Sequence, residues 1–134
     1  MVVDSDTQRS LMTSIEGRIW PVQAQIPMRL GILSDSHDQA TAMRHAMDAL
    51  RRDRRASYII HCGDLCSPRM LEFLAGEPAG FVFGNCDLDR AGLRRHAEAI
   101  GVHCFDEFGE FTMGGREFAV IHGDDKRGTS GFRA

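Results

Sequence analysis

Blocks of apolar residues separated by polar segments predict alternating strands and helices from residue 28 onward. Residues 28–34 form a short apolar run typical of a buried strand, and the apolar residues of 39–52 recur at the spacing of one helix face, with Asp38 as the N-cap. The later segments continue this alternation, and we predict strands over 57–62, 80–83 and 101–105 and helices from Pro68 to the residue before Gly76 and over 89–99.

The last clearly patterned part of the chain predicts a β-hairpin. Residues 107–113 and 116–121 are strand-like and flank Gly114 and Gly115, a pair typical of a two-residue turn. The earlier strands are separated by helices, which indicates a mainly parallel α/β sheet with right-handed crossovers. Ligands of such sheets bind beyond the carboxyl ends of the strands. The residues that follow each strand are therefore the candidates for function.

Metal-capable side chains follow four of the predicted strands. The four segments are DSH at 35–37, GD at 63–64, GNCD at 84–87 and HGD at 122–124. Each polar residue taken alone has an ordinary explanation, as a turn residue, a helix cap or a hydrogen-bonded core residue. Their joint occurrence at strand ends favours a shared site. The other histidines do not follow this pattern, and we interpret them as structural or surface residues: His45, His61, His96 and His103.

The chemistry of these side chains suits divalent cations. Asp35 and His37 are two residues apart and would point to the same side of an extended segment. With Asp64 they form a nitrogen and oxygen ligand set that suits manganese, iron or zinc rather than calcium. If Asp64 lies between two ions, Asn85 and His122 would serve the second ion. Two neighbouring cations can bind a phosphate and activate water.

Composition narrows the classes of protein that fit. A chain of 134 residues with 43% hydrophobic and 26% charged residues is typical of one globular domain. A formal charge of −3 does not indicate a nucleic-acid partner, and no run approaches the ~18 apolar residues of a membrane helix. Residues 1–27 lack the apolar stretch of a signal peptide. We therefore predict a cytoplasmic protein with reduced thiols, in which Cys62, Cys66 and Cys104 are small core residues.

Residues 1–27 differ from the rest of the chain. They are polar, weakly patterned and end at Pro27. Because they lack the apolar content to bury themselves, we predict either a disordered tail or a non-native extension before a true start at Met28. The predicted domain covers residues 28–134.

The strand-end segments resemble the signature of the calcineurin-like metallophosphoesterases. That signature runs D-x-H, then G-D, then G-N-H-D or a variant, then a histidine in an H-G context, then a closing G-H-x-H. The chain matches in the same order with SDSHD at 34–38, CGD at 62–64, GNCD at 84–87 and HGDD at 122–125. The GNCD variant and the short length are most similar to the small bacterial and archaeal phosphodiesterase branch.

The resemblance implies a β-sheet sandwich flanked by helices in α-β-β-α layers. It also implies two divalent metal ions, manganese first, with iron, zinc or nickel as alternatives. By position, Asp35, His37 and Asp64 would bind the first ion, and Asp64, Asn85 and His122 would bind the second. The implied reaction is attack by a metal-bound hydroxide on the phosphate ester of a small-molecule substrate, with charge stabilised by the ions and by donors of the site.

One departure from the family signature concerns the proton donor. Cys86 stands where many members have the histidine that serves as general acid. A thiol is a poorer proton shuttle near neutral pH, so we expect leaving groups that need little protonation. The catalytic candidates are therefore Asn85, Cys86 and Asp87, with Asp87 supporting the loop.

A second departure is the absence of the closing G-H-x-H, which supplies one histidine to each metal. We expect a domain without its C-terminal part and with an incomplete second sheet, as a fragment, a frameshifted product or a degenerate relative. The hairpin would then expose a sheet edge and risk self-association. The alternative function is a catalytically impaired fragment or a non-catalytic protein-binding scaffold similar to the small retromer subunit. A flavodoxin-like module would not explain His37, Asn85 and His122 at strand ends.

Overall fold

A computed structural model of the protein describes residues 28–123, where a parallel sheet carries helices on one face and a hairpin on the other. The helical elements are α1 (Ala40–Asp48), which continues as a π-helical turn (Ala49–Asp53), a 3₁₀ helix (Pro68–Leu74) and α2 (Arg90–Ile100). The strands are β1 (Leu30–Leu33), β2 (Tyr58–His61), β3 (Ala79–Phe81), β4 (His103–Cys104), β5 (Phe108–Met113) and β6 (Arg116–Ile121). The predicted alternation and hairpin are confirmed.

The first helix differs from its prediction at both ends. Asp38 is not its N-cap: Gln39 occupies that position without a side-chain hydrogen bond. The Asp38 carboxylate instead accepts a hydrogen bond from the backbone N–H of Ser67 at 3.1 Å and another from the Ser67 hydroxyl. At the other end, residues that the periodicity assigned to a regular helix form the π-helical turn. The helical spacing itself is correct, because Met43 and Met47 are both buried.

The two later helical segments show how local sequence sets their form. Pro68 occupies the first turn of its helix, as predicted, but the segment is a 3₁₀ helix rather than an α-helix. The α2 helix has a complete set of end signals. The Asp89 carboxylate accepts a hydrogen bond from Gly92 N–H at its start, and Gly101 ends it in the left-handed conformation at φ 78°.

The parallel sheet has the strand order β1-β2-β3-β4, and its two faces bury different partners. Ile59 and Phe81 face the helices and pack in the larger core with residues such as Leu93. On the other face, Ile60 and Val82 pack against Val120 of β6. This arrangement confirms the predicted α/β sandwich with helices outside.

The hairpin forms the second, smaller sheet. The strands β5 and β6 pair antiparallel from Phe108 opposite Ile121 to Met113 opposite Arg116, and Gly114 and Gly115 form the turn with φ values of 60° and 77°. Positive φ at both central residues is the geometry that makes glycine favourable there. His122, the residue after β6, lies with Nδ1 2.8 Å from the carbonyl of Cys62, the residue after β2, so the end of β6 lies near the carboxyl edge of the parallel sheet.

Residues 1–27 and 124–134 lie outside the described part of the chain, so the predicted N-terminal extension and domain limits stay predictions. Within residues 28–123, no helix has the length and apolar character required to cross a bilayer.

Candidate metal centre

The loops after β1 and β2 run side by side and continue the parallel pairing of those strands. Backbone N–H groups of residues 35, 37 and 38 donate to the carbonyls of residues 63, 64 and 65 at 2.9, 2.9 and 3.2 Å. The prediction that residues 35–37 are extended is wrong, because Asp35 and His37 have φ values of 58° and 44°. The two side chains converge through left-handed backbone geometry, an uncommon conformation for non-glycine residues that often marks functional sites.

The Asp87 carboxylate links the loop that follows β2 to the loop that follows β3. Its side chain is 1% exposed, and one carboxylate oxygen accepts hydrogen bonds from the backbone N–H of Asp64 at 2.8 Å and of Gly84 at 2.7 Å. The other oxygen accepts from Cys66 N–H at 2.7 Å. Bonds from backbone N–H groups to a buried carboxylate are among the stronger hydrogen bonds in proteins. Asp87 is therefore a positioning residue, which fixes the backbone of Asp64, Cys66 and Gly84.

Two glycines leave the space that Asp64 and His122 occupy. A Cβ on Gly84 would lie 2.1 Å from Oδ1 of Asp64, and a Cβ on Gly63 would lie 2.8 Å from Nδ1 of His122. Gly63 also has φ +105°, which favours glycine. The glycines of the CGD and GNCD segments thus serve close packing of the site's own side chains.

Asp64 is the centre of the cluster. It is 3% exposed, and its Oδ1 accepts a hydrogen bond from Cys86 N–H at 2.8 Å. Its Oδ2 lies 3.4 Å from Nε2 of His37 and 3.3 Å from Nε2 of His122. Asp35 completes the group, with Oδ1 at 3.4 Å from Nε2 of His37 and 4.0 Å from Nε2 of His122. One carboxylate oxygen of Asp64 therefore lies between two imidazoles that come from opposite sides of the site.

The hydrogen bonds of His122 determine which ring nitrogen faces the cluster. Nδ1 lies 2.8 Å from the Cys62 carbonyl, which can only accept, so Nδ1 carries the proton in the neutral ring. Nε2 then presents a lone pair toward Oδ2 of Asp64 and toward Oδ1 of Asn85, which is 3.2 Å away. In many proteins a carbonyl that accepts from one ring N–H orients the other nitrogen of a histidine toward a metal ion in the same way.

These donors fit a divalent cation. Three acceptors converge here: the carboxylate oxygens of Asp35 and Asp64 and the lone pair on Nε2 of neutral His122. When both carboxylates are ionised and His122 is neutral, none of them has a proton to donate to another. Lone pairs brought together in this way repel unless a cation or a proton lies between them. Ligand atoms of Asp35, His37 and Asp64 lie within 4.8 Å of one another. The structure thus brings together all five residues predicted as ligands: Asp35, His37, Asp64, Asn85 and His122.

The Asp35 carboxylate is held in its charged form. The Ser34 hydroxyl donates a hydrogen bond to it and lowers the pKa of Asp35 below its ordinary value. An ionised carboxylate is the form that binds a cation.

His61 supports the site, although no sequence signal separated it from the other histidines. It is fully buried, and its Nδ1 accepts a hydrogen bond from Gly63 N–H at 3.1 Å. Because a backbone N–H can only donate, the proton lies on Nε2, 3.1 Å from the Ser36 hydroxyl. Burial lowers the pKa of His61 to about 4. The neutral ring therefore links the segment after β1 to the glycine that precedes Asp64.

The cysteine prediction is wrong in part. Cys62 and Cys104 are half-buried and pack against the two cores as predicted, whereas Cys66, also half-buried, belongs to neither core. Sγ of Cys66 lies 3.5 Å from Nδ1 of His37, so this residue belongs to the rim of the site. Burial first, and then the nearby Asp38 carboxylate, raises the pKa of Cys66 to about 11. Burial and the Asp64 carboxylate also raise the pKa of Cys86.

The remaining predicted surface histidines lie away from the cluster. Nε2 of His96 lies 2.6 Å from a Glu72 carboxylate oxygen, and the His103 ring packs on Phe105 with centroids 4.1 Å apart. Neither contact involves a ligand candidate.

Comparison with known proteins identifies similar phosphodiesterases. The chain is 28% identical over 99 residues to phosphodiesterase MJ0936 of Methanocaldococcus jannaschii, a match that covers 72% of this chain and 59% of that protein. Its structure is similar to that of a novel archaeal phosphodiesterase, with a TM-score of 0.67, 27% identity, and coverage of 77% of this chain and 64% of that one. The chain thus spans less than two thirds of the length of these relatives.

A more distant structure shares the fold alone. Yfce, a phosphoesterase from E. coli, matches with a TM-score of 0.55 and 16% identity over 72% of this chain and 58% of that one. Residues 28–133 match the calcineurin-like phosphoesterase superfamily domain. Since that match covers nearly all of the patterned sequence, the chain belongs to the calcineurin-like phosphoesterase superfamily.

Proposed function

We propose that this chain provides the metal-binding core of a divalent-metal-dependent phosphoesterase that hydrolyses a small-molecule phosphate ester. The observation that carries the proposal is the position of Oδ2 of Asp64, 3.4 Å from Nε2 of His37 and 3.3 Å from Nε2 of His122. Membership of a superfamily that includes phosphodiesterases supports it.

The residues divide into two ligand sets that share one carboxylate. Asp35, His37 and Asp64 would hold one ion, and Asp64, Asn85 and His122 would hold the other. Mixed nitrogen and oxygen donors favour manganese, with iron, zinc and nickel as alternatives. Two bound cations would supply Lewis-acid polarisation of a phosphoryl oxygen and acidification of bound water.

The chain's own groups position these ligands and shape the site. The Cys62 carbonyl orients the His122 ring, and Asp87 fixes the backbone on which Asp64 stands. Asn85 is exposed at the rim, where its amide can contact a phosphate ester. The next residue, Cys86, has a thiol, which is a less effective general acid near neutral pH than an imidazole. The site therefore suits esters whose leaving groups are acidic and need little protonation.

The test combines metal analysis with hydrolysis of an activated diester such as bis(4-nitrophenyl) phosphate in the presence of Mn²⁺. We expect stoichiometric metal and turnover in the unchanged chain, and loss of both in Asp64→Asn, because the shared ligand serves both ions. Asp48→Asn is the matched control, since Asp48 is an exposed carboxylate at the end of α1. If the unchanged chain does not cleave the diester, the enzymatic proposal is overturned. If Asp64→Asn keeps its metal, the shared-ligand assignment is wrong.

A further inference from the structure

A second group of donors lies beside the oxygen-rich centre and has different chemistry. A ring nitrogen of His37 and the sulfur atoms of Cys66 and Cys86 all lie within 4.8 Å of one another. Thiolate and imidazole ligands select zinc and other thiophilic ions, whereas carboxylates favour harder ions. Nothing in the proposed phosphoesterase assignment uses the Cys66 thiol.

The two nitrogens of His37 face these two donor groups separately. Nε2 lies 3.4 Å from the nearest oxygens of Asp35 and Asp64, whereas Nδ1 lies 3.5 Å from Sγ of Cys66. His37 thus connects an oxygen-rich side and a sulfur-rich side through a single ring.

The spacing fits tetrahedral zinc. With zinc–sulfur bonds near 2.3 Å and zinc–nitrogen bonds near 2.0–2.1 Å, a tetrahedral ion separates a sulfur from a nitrogen by roughly 3.6 Å and two sulfurs by roughly 3.8 Å. The 3.5 Å between Sγ of Cys66 and Nδ1 of His37 matches the sulfur–nitrogen separation. The sulfur atoms of Cys66 and Cys86 lie within 4.8 Å of each other, which is compatible with the sulfur–sulfur separation. Three protein ligands with a solvent-facing fourth position are a common zinc arrangement.

The backbone holds both thiols in place before any ion binds. Cys66 N–H donates to Asp87, and Cys66 has φ 80°, an uncommon value for a residue with a side chain. Cys86 N–H donates to Asp64. Both sulfur-bearing residues are therefore fixed to carboxylates of the centre, which reduces the ordering cost of ligand binding.

From this arrangement we propose that His37, Cys66 and Cys86 form a separate site for a thiophilic divalent cation, zinc above all. The site lies next to the phosphoesterase centre and shares His37 with it. Because the neutral His37 ring has one unprotonated nitrogen, it serves one of the two sites at a time, through Nε2 or through Nδ1. Binding requires both thiols to lose their protons, so it releases protons and strengthens as pH rises.

The experiment uses the full chain, kept reduced with a phosphine, and Cd²⁺ as the spectroscopic probe for zinc. We expect one equivalent of Cd²⁺ to produce an ultraviolet thiolate-to-metal charge-transfer band. The band should lose about half its intensity in Cys66→Ser or Cys86→Ser and vanish in the double variant, because its intensity follows the number of thiolate ligands. The matched control is the double variant Cys62→Ser/Cys104→Ser, which should keep the full band.

A further variant separates this site from the phosphoesterase centre. Asp35→Asn should weaken Mn²⁺ binding and diester hydrolysis but keep the Cd²⁺ band, because Asp35 lies only on the oxygen-rich side. The absence of a band in the reduced unchanged chain would overturn the proposal. So would a full band in Cys66→Ser/Cys86→Ser with an unchanged far-ultraviolet circular dichroism spectrum. Neither result would bear on diester hydrolysis.

Discussion

The buried His61 ring makes a sharp prediction about how stability depends on pH. Its Nδ1 accepts from Gly63 N–H, and it has no exposed surface through which water could stabilise a charge. Protonation of Nδ1 would place two donors against each other in a buried site. Burial is the largest cause that lowers the folded pKa to about 4, below the ordinary value of 6.5.

The sign and size of the effect follow from proton linkage. As pH falls below 6.5, the unfolded chain binds a proton at this residue before the folded chain does, so the free energy of unfolding decreases. The stabilisation is fully present above pH 6.5 and is lost as pH falls toward 4. At about 1.4 kcal/mol per pH unit the total loss is about 3 kcal/mol, of which about 2 kcal/mol is lost by pH 5.

The test compares the unchanged chain with His61→Asn. Asparagine keeps an acceptor near Gly63 N–H but does not titrate, and it loses the ring volume and the Ser36 contact. We expect the variant to be less stable at pH 7 by about 2–3 kcal/mol, because a buried ring is removed and a polar contact is lost. The gap should shrink by about 2 kcal/mol at pH 5.

Urea unfolding followed by far-ultraviolet circular dichroism at pH 7, 6 and 5 measures this difference. A chelator at constant ionic strength removes the contribution of bound metal to stability. Carboxylates contribute equally to the pH dependence of both chains, so their contribution cancels in the difference between the two free energies of unfolding. If the two stability curves stay parallel from pH 7 to 5, His61 is not held neutral by the fold and the reasoning fails.

Three further substitutions test the supports of the centre. Asp87→Asn should lower the free energy of unfolding by about 2–4 kcal/mol, because the amide NH₂ would face one of the three backbone N–H groups that now donate to the carboxylate. Urea titration measures this change, and a decrease below about 1 kcal/mol would contradict the prediction. Asp89→Ala, which removes only the α2 cap, should cost about 1 kcal/mol and leave Mn²⁺ affinity unchanged. Gly84→Ala should weaken Mn²⁺ binding at least about tenfold in calorimetry, because the new Cβ would displace Oδ1 of Asp64. Gly76→Ala is its control: no atom lies within 4 Å of the added Cβ, and its cost comes instead from the φ of +84°, which strains an alanine. Equal loss of Mn²⁺ affinity in both variants would refute the steric argument.

Much of the fold could be predicted from local patterns. Between residues 28 and 123, apolar runs and helical spacing located the six strands and the helical segments, and Asp89 and Gly101 show that helix ends follow local chemistry. The prediction of the first helix's N-cap was wrong because Asp38 can accept hydrogen bonds either from its own helix or from a distant segment. Asp38 was predicted to cap its own helix, but it binds Ser67, which lies 29 positions further along the chain.

The candidate site divides in the same way. Local patterns place Asp35 and Asp64 directly after parallel strands, and because parallel strands end at one edge of a sheet, this was enough to predict that the two carboxylates meet. His122 follows β6 of the antiparallel hairpin, so its approach to Cys62 depends on how the two sheets pack. How these side chains meet depends on contacts between segments that are distant in sequence. Three features illustrate this: the left-handed backbone at Asp35, the neutral ring of His61 and the approach of Cys66 to His37. Each depends on hydrogen bonds between distant segments and on the burial that their packing creates, and local sequence patterns contain neither.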